Sequence, residues 1–365
     1  MPVLIDGERV PKHLSKKIGS RSRHGAQGKK PQAEHIRIAL INNMPDAALE
    51  DTEAQFFDLL ESAAGALPVS LKLYSLPNLP RSGAGQRRLQ DFYFDTQDLL
   101  NSRFDGIIMT GTEPCQSNLR DEPFWPILTE VLEWAERSTS SAVLSCLAAH
   151  ASVLHSDGIP RHRLADKQFG VFQYQTSPGH QLIDGTAEAI QIPHSRWNEV
   201  RTDALTESGY EVLTQSAGAG VDLFVKKKRD SLFLHFQGHP EYGLRTLLKE
   251  YRRDIKRYLR HERETYPTMP HGYFDSQAVK VLSDFQGAAM ASRSEGIMSK
   301  FPEAAVAGTV QRTWHTPANV VYRNWLGYLA ARKTETPVRS SKPPVVRAIN
   351  SRRKGRSTTK LRHAG

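Results

Sequence analysis

Cys146 lies where a thiol could act as a nucleophile. It follows the apolar run 142–145, typical of a buried strand, and precedes the run 147–154, typical of a helix. The small residues Ala148 and Ala149 allow the close approach that a sharp strand-to-helix turn needs. The positive end of the helix favours the thiolate, and the backbone amide of Leu147 could donate to an oxyanion. A buried structural cysteine is the alternative interpretation.

His239 and Glu241 are candidates for the base that such a nucleophile needs. They follow the apolar strand 232–234, at the carboxyl end where open α/β sheets bind their ligands. His239 could take the thiol proton, while Glu241 could orient the imidazole and stabilise its charge. His235 and His239 are four residues apart, a spacing that suits two metal ligands on a helix, but the pattern of this segment predicts a strand followed by a turn. We therefore predict no metal site.

The elements that must position these residues alternate between strand and helix in the first half of the chain. Apolar runs predict buried strands, and amphipathic runs predict helices between them. This order predicts an α/β fold, a mostly parallel sheet with helices on both faces. The predicted strands are 35–42, 69–77, 105–111 and 142–146, and the predicted helices are 48–64, 125–137 and 147–154.

The second half of the chain has a different pattern. Short strand-like runs separated by turns predict antiparallel strands that complete the sheet. Two helices follow, of which the first is rich in Lys and Arg and the second is amphipathic. The strand-like runs begin at residues 169, 189, 211, 221 and 232, and the helices are predicted over 243–263 and 319–331.

The composition limits the classes of protein to which this chain can belong. Of the 365 residues, 39% are hydrophobic and 24% are charged, as in globular proteins. No apolar run reaches the roughly 18 residues that a membrane span needs, and the polar N-terminus has no signal-peptide core. We therefore predict a cytoplasmic protein without a membrane partner. Two cysteines cannot form a disulfide framework.

The net charge of +10 is concentrated at the ends of the chain. Residues 1–33 carry a net charge of +6 and residues 333–365 carry +9, which leaves −5 for the remainder. We predict two basic disordered tails over 1–33 and 333–365, and one folded domain over 34–332. An acidic domain argues against nucleic acid as the main partner, although basic tails can bind phosphates.

Several motifs together resemble the homoserine O-acyltransferases, also called homoserine trans-succinylases, whose fold is of the class I glutamine-amidotransferase type. The order of cysteine before His-x-Glu matches that class, and the flanking motifs narrow the resemblance to this family. The resemblance covers residues 35–330. The motifs are 44–45, 50–55, 104–111, 132–134, 193–196, 238–242, 250–254 and 324–326.

The resemblance implies roles for individual residues. Cys146 would accept the acyl group from acyl-coenzyme A as a thioester, with His239 as base and Glu241 as its partner. Arg253 would bind the α-carboxylate of L-homoserine, a role that suits a bidentate guanidinium. Three further residues fall at the substrate site, namely Lys167, Ser195 and Arg196. The family acts in methionine biosynthesis.

The chain departs from the family pattern close to the predicted site. The family has a lysine shortly after Met-Pro, but no lysine lies between Glu34 and Leu71 here, so we predict that Asn43 supplies an oxyanion donor instead. Cys115 occupies the position where glycine accompanies succinyl donors and glutamate accompanies acetyl donors. Because cysteine is small and uncharged, it favours a succinyl donor over an acetyl donor.

Several alternatives fit the same residues. L-serine could replace homoserine as acceptor, and the same cysteine and histidine could serve a glutamine amidotransferase with glutaminase activity. From a different class, the basic tails could make the protein a binder of nucleic acid or acidic surfaces. For the acyltransferase we predict acyl-coenzyme A as co-substrate, no bound cofactor and possible homodimer formation.

Overall fold

The computed structural model describes residues 3–7, 9–21 and 35–335. These residues form strands and helices that alternate through the first half of the chain. The strands are β1 Val3–Asp6, β2 Ile36–Ile41, β3 Val69–Tyr74, β4 Gly106–Met109, β5 Ser141–Ser145, β6 His162–Thr176, β7 Ala189–Glu199, β8 Glu211–Val212, β9 Thr214–Ser216, β10 Gly220–Val221, β11 Leu223–Lys228 and β12 Ser231–Phe236.

The helices of the described residues vary widely in length. The longest are α9 and α11, and both lie after the last strand. They are α1 Lys12–Arg21, α2 Leu49–Ala64, α3 Gly83–Phe92, α4 Thr96–Asn101, α5 Trp125–Ser138, α6 Leu147–Asp157, α7 Thr202–Glu207, α8 Thr246–Leu259, α9 Ser276–Ser292, α10 Glu303–Ala307 and α11 His315–Glu335. None of these helices is both long and apolar enough to cross a membrane.

The main sheet has eight strands in the order β1-β3-β2-β4-β5-β12-β11-β8. The six strands from β1 to β12 are mutually parallel, and β11 and β8 are antiparallel additions at one edge. Along β2, Ile38 and Leu40 pack with α2 and α11, whereas Ala39 and Ile41 pack with α5 and α6. Both faces are therefore covered by helices. The predicted α/β class is confirmed.

The second half of the chain differs from the prediction in two respects. β12 joins the main sheet parallel to β5, not antiparallel to it. Four further strands, β10-β9-β6-β7, form a separate antiparallel sheet. Short strand runs do not reveal which sheet they join, because the partner of a strand is set by contacts distant in sequence.

The prediction of a disordered N-terminal tail is wrong for part of residues 1–33. β1 pairs in parallel with the outer side of β3, and α1 packs on α2. Val3 and Leu14 are fully buried. Ile5 and Val10 pack against the same core, and the edge of β3 offers the unpaired backbone groups that β1 needs. Residues 22–34 lie outside the described residues.

The C-terminal boundary is also displaced slightly. α11 continues to Glu335, and Lys333 donates hydrogen bonds to the carbonyl of His35 (2.7 Å) and to Asp105 (2.8 Å). Residues 333–335 therefore belong to the domain, although the charge pattern of the sequence predicts that the tail begins at residue 333. The rest of that predicted tail, 336–365, lies outside the described residues.

Gly106 provides a test of how α11 packs on the sheet. A Cβ atom at this position would lie 2.9 Å from Trp325 Cζ2 and 2.9 Å from Leu329 Cδ1. We expect Gly106→Ala to lower the free energy of unfolding by about 1–3 kcal/mol, because the buried side chains of Trp325 and Leu329 cannot move freely. Chemical denaturation measures this change.

Gly287, in the exposed part of α9, is the matched control. A Cβ atom there meets nothing within 4 Å, so Gly287→Ala should raise stability by about 0.5–1 kcal/mol through helix propensity. Equal stability of Gly106→Ala and the unaltered protein would contradict the proposed packing.

Candidate active site

Cys146 occupies a strained turn between β5 and α6. Its backbone has φ 54° and ψ −112°, a conformation that non-glycine residues rarely adopt and that costs on the order of 1–3 kcal/mol. Its amide donates to the carbonyl of Phe236 at 2.7 Å, at the end of β12. The strain is maintained because β5 and α6 are anchored on both sides of the cysteine. The turn is of the nucleophile-elbow type that the sequence predicts.

The amide of Leu147 lies at the start of α6, where helix N–H groups have no partner within the helix. Gly111, after β4, packs directly against it: a Cβ atom at 111 would lie 2.9 Å from the Leu147 nitrogen. Glycine therefore keeps the space beside this amide open. The role of Leu147 as an oxyanion donor stays a prediction.

His239 lies between Cys146 and Glu241. Its Nδ1–H donates to Glu241 Oε1 at 2.8 Å, and the sulfur of Cys146 lies close enough to the imidazole to raise its pKa. The backbone amide of His239 donates to the carbonyl of Pro193 at 2.8 Å, which fixes the loop after β12. All three predicted triad side chains thus meet, in the order nucleophile, base and orienting carboxylate.

The electrostatics of the triad favour a protonated His239. Burial by itself lowers the pKa of His239, but the Glu241 carboxylate and the Cys146 sulfur outweigh burial and raise the pKa well above its usual value. A protonated imidazole beside a thiol can give its proton to a leaving group. The site is therefore suited to nucleophilic attack by sulfur followed by proton return from the imidazole.

Asp222 supports the loop that carries His239. Its Oδ1 accepts a 2.6 Å hydrogen bond from the amide of Gly238, and its backbone carbonyl accepts one from Gln237. The Gln237 side chain in turn bonds the backbone of Val200 and lies 2.8 Å from His150 Nε2. Burial lowers the pKa of His150 to about 3, so this imidazole is neutral. The loop is held by buried polar groups on both sides.

Tyr242 connects the triad to a cluster of charged side chains. Its ring stacks on the imidazole of His239 with centroids 4.3 Å apart and an angle of 17° between the planes. Its hydroxyl donates to Glu250 Oε1 at 2.6 Å, and Trp314 donates to its carbonyl at 2.8 Å. The tyrosine therefore fixes the imidazole face and links it to α8.

Three of the predicted substrate-binding residues gather around Glu250 and Asp254. Ser195 Oγ donates to Glu250 Oε2 at 2.5 Å, and Lys167 Nζ lies 3.2 Å from Asp254 Oδ2. Arg253 Nε donates to Asp254 Oδ1 at 3.1 Å, and its terminal nitrogens lie 3.9 Å from Glu250 and 3.8 Å from Glu113. The Arg253 side chain is 48% exposed, so its guanidinium can still reach an anion from solvent.

Arg196 and Asn43 are placed differently from the prediction. Arg196 points to the opposite face of β7 from Ser195 and is buried, with its donors bonded to His194 Nδ1 and to two backbone carbonyls. The alternation of side chains along a strand separates these sequence neighbours. The side chain of Asn43 is bonded to the carbonyl of Thr110 and to the amide of Leu76. Both residues hold backbone in place.

Cys115 lies in the exposed loop 112–118 that follows β4. Glu113 of this loop lies beside Arg253, so the loop borders the charged cluster on α8. The role of Cys115 in donor choice stays a prediction. His235 is turned into the core, stacked on Phe224 at 4.8 Å. Within the described residues there is no group of three potential metal ligands.

A cavity of about 520 Å³ lies elsewhere on the domain, between the β6–β7 hairpin and the start of α11. Its lining includes Gln173, Gln191, Thr313 and Thr316, and it contains no residue of the triad. The chemistry of the triad therefore identifies the candidate site, and the size of this cavity does not.

Sequence reasoning assigned no role to several residues that shape the site. Tyr242 and Glu250 lie within two of the family motifs. Glu250 and Arg253 are three residues apart on a helix, a spacing that indicates that their side chains are neighbours. Asp222 offered no local signal. It reaches the site only because β11 pairs antiparallel with β12, which brings position 222 opposite Gln237.

The ionisation of Asp222 gives a prediction about stability. Burial raises the pKa of Asp222 to about 7 from an ordinary 3.8. Between pH 4 and 7 the folded state retains a proton that the unfolded chain has lost, so this group's contribution to the free energy of unfolding falls as pH rises. Asp222→Asn removes that dependence. Its stability relative to the unaltered protein should increase from pH 4 to pH 7, as measured by thermal denaturation.

Asp222→Ala separates ionisation from hydrogen bonding. It removes the bond to Gly238 and should be less stable than Asp222→Asn at every pH. The raised pKa of Asp222 would be refuted if the difference in stability between Asp222→Asn and the unaltered protein did not vary with pH.

Comparison with solved structures finds weak likenesses. A glutamine amidotransferase from Thermotoga maritima has a TM-score of 0.44 and 11% identity, covering 81% of this chain and 98% of that chain. One from Methylobacillus flagellatus has a TM-score of 0.45 and 15% identity, covering 81% of this chain and 95% of that chain. No argument about function rests on them.

Comparison of sequences gives much stronger matches. A homoserine O-succinyltransferase from Rhodopseudomonas palustris is 43% identical over 299 residues, 82% of this chain and 90% of that protein. One from Bradyrhizobium japonicum is 40% identical over 333 residues, 90% of this chain and 99% of that protein. The family model for homoserine O-succinyltransferase matches residues 12–336. This chain belongs to the homoserine O-succinyltransferase family.

Proposed function

We propose that the protein transfers a succinyl group from succinyl-coenzyme A to the hydroxyl of L-homoserine, in methionine biosynthesis, through a thioester on Cys146. The observation that carries the proposal is the position of His239, which is bonded to Glu241 at 2.8 Å and whose pKa is raised by Glu241 and by the sulfur of Cys146. Membership of the family supports the choice of donor and acceptor. We further propose that the enzyme works in the cytoplasm.

In the first step the sulfur of Cys146 attacks the carbonyl carbon of succinyl-coenzyme A. A new carbon–sulfur bond forms as the bond to the coenzyme sulfur breaks, and the departing sulfur takes the proton held on His239. While the sulfur attacks, the carbonyl oxygen of the succinyl group carries negative charge, and the amide of Leu147 donates a hydrogen bond to it. Glu241 keeps the imidazole oriented throughout.

In the second step the neutral imidazole of His239 takes the proton of the homoserine hydroxyl. The hydroxyl oxygen attacks the thioester carbon, the ester bond forms, and Cys146 leaves as a thiolate beside the imidazolium. The starting ion pair is restored. Each proton and charge in both steps is carried by a side chain or backbone amide of the protein, so we propose that no bound cofactor takes part.

The charged cluster on α8 fits the amino-acid end of homoserine. Arg253 supplies a guanidinium for the α-carboxylate, and the carboxylates beside it, Glu250 and Asp254, match an α-ammonium group. The stacked Tyr242 joins this cluster to His239, which supports binding of the amino acid next to the base. Ser195 and Lys167 hold the carboxylates in position.

The central test is removal of the nucleophile. Cys146→Ala should lower the release of coenzyme A in the presence of succinyl-coenzyme A and homoserine by about 10³-fold or more, because the thioester route is lost. The unaltered protein should gain one succinyl group on Cys146, as detected by mass spectrometry of peptides. Glutamine should release no ammonia.

Cys115→Ser is the matched control, because Cys115 is exposed and lies outside the triad. It should retain a succinyl adduct on Cys146. Unchanged turnover in Cys146→Ala would disprove the mechanism. Faster transfer to L-serine than to homoserine would contradict the proposal that homoserine is the acceptor.

The acceptor site has its own test. Arg253→Lys replaces a bidentate guanidinium by a point charge, so the KM for homoserine should rise by about 10- to 100-fold with a smaller change in kcat. Steady-state kinetics at saturating succinyl-coenzyme A measure both constants. Arg257→Lys, one turn further along α8 and similarly exposed, should change neither. Equal KM values for the two variants would contradict the assignment.

A further inference from the structure

His194 is a buried imidazole outside the triad. It lies on β7, its side chain has no exposed surface, and its ring stacks on Tyr174 with centroids 5.3 Å apart. Burial and the charge of Arg196 lower the pKa of His194 well below its usual value, which keeps the ring neutral. Arg196 Nε donates to its Nδ1 at 3.2 Å, so the one proton of the neutral ring is on Nε2. The hydrogen bond from Arg196 therefore fixes the tautomer.

The Nε2–H of His194 faces Asp222, which supports the loop after β12. Nε2 lies 3.6 Å from Asp222 Oδ1, the oxygen that accepts the 2.6 Å hydrogen bond from the amide of Gly238. Among the residues that the structure describes, neither Nε2 of His194 nor Oδ2 of Asp222 has a hydrogen-bond partner. Buried polar groups without partners are rare and costly. A shift of roughly half an ångström would bring this donor and this carboxylate to the usual hydrogen-bond distance.

Gly238 connects this pair of side chains to the base. A Cβ atom at position 238 would lie 2.8 Å from His194 Cε1 and 2.8 Å from Asp222 Oδ1, so the backbone of the loop packs directly on both groups. His239 is the next residue, and its amide donates to the carbonyl of Pro193, the residue before His194, at 2.8 Å. The position of the imidazole of His239 therefore depends on how this part of β7 and Asp222 hold the loop.

We propose that His194 is a positioning residue for the base His239. Its Nε2–H donates to Asp222 and thereby holds Gly238, the residue next to the base. The inference rests on the proposed function, and it adds a buried relay that starts at Arg196. The guanidinium polarises the imidazole, which makes Nε2–H a better donor to the carboxylate. The three side chains of the relay are at most 3% exposed, so they act on the substrate only through the base.

Two substitutions separate the roles of the two ring nitrogens. Asparagine keeps an acceptor near the position of Nδ1, so His194→Asn retains the hydrogen bond from Arg196 and loses the donor that faces Asp222. Glutamine places an amide near the position of Nε2, so His194→Gln retains a donor to Asp222 and loses the acceptor for Arg196. Both variants should denature at a lower temperature than the unaltered protein, because each leaves a buried polar group without its partner.

The measurement is a single turnover, in which acylated Cys146 transfers its succinyl group to homoserine. His194→Asn should lower the rate constant at saturating homoserine by about 10- to 100-fold, because the base is misplaced. The homoserine concentration that gives half of this rate should change by less than about threefold, since Arg253 is untouched. His194→Gln should recover most of the lost rate.

His235→Asn is the matched control. His235 is also a fully buried histidine, and its Nε2 also faces a polar side chain, that of Ser152 at 3.2 Å. This variant should lose stability and keep the rate of transfer within about threefold of the unaltered protein. If His194→Asn does not fold, Asp222 carries the test. Asp222→Ala removes the acceptor and should slow transfer, whereas Asp222→Asn keeps an acceptor oxygen and should be faster than Asp222→Ala.

Several outcomes would overturn the inference. They are transfer in His194→Asn as fast as in the unaltered protein, transfer in His194→Gln as slow as in His194→Asn, and a loss in His235→Asn equal to that in His194→Asn. Equal rates in Asp222→Ala and Asp222→Asn would overturn it as well. In each case the unaltered protein still forms and transfers its acyl group, whereas absence of any acyl adduct in the unaltered protein would instead refute the proposed function.

Discussion

The parallel pairing of β5 with β12 is the interaction on which the site depends. Its register sets Ser145 opposite Phe236, so the residues that follow each strand emerge side by side at the same edge of the sheet. The hydrogen bond from the amide of Cys146 to the carbonyl of Phe236 extends this ladder into the turn. A slip of one residue would turn every side chain of a strand to the opposite face. The buried faces of both strands prevent such a slip.

Charge balance in a buried environment is the second constraint. His239 is stable as a cation because Glu241 and Cys146 flank it, and buried charges without partners are costly. The same rule organises α8, where Glu250 and Asp254 neutralise the cations gathered around them. Tyr242 joins the two regions through a stack and a hydrogen bond. The candidate active site is one connected electrostatic unit with a single orientation of the imidazole.

Local patterns failed wherever a partner distant in the chain decided the outcome. The N-terminal segment reads as a polar tail, yet Val3 is buried because the edge of β3 accepts a strand there. Ser195 and Arg196 are neighbours in one motif, but the strand that carries them sends the first to Glu250 and the second into the interior. A motif records which residues occur together, and backbone geometry decides which of them share a face.

The sequence by itself determined the α/β class, the strand-to-helix turn at Cys146 and the pairing of that cysteine with His239 and Glu241. These features follow from local periodicity and from residue types with few chemical roles. Only the tertiary structure decided the second sheet, the position of Asp222 under the loop that carries His239 and the separation of Ser195 from Arg196. Those positions depend on strand partners and loop closure, which are long-range packing interactions that no short stretch of sequence encodes.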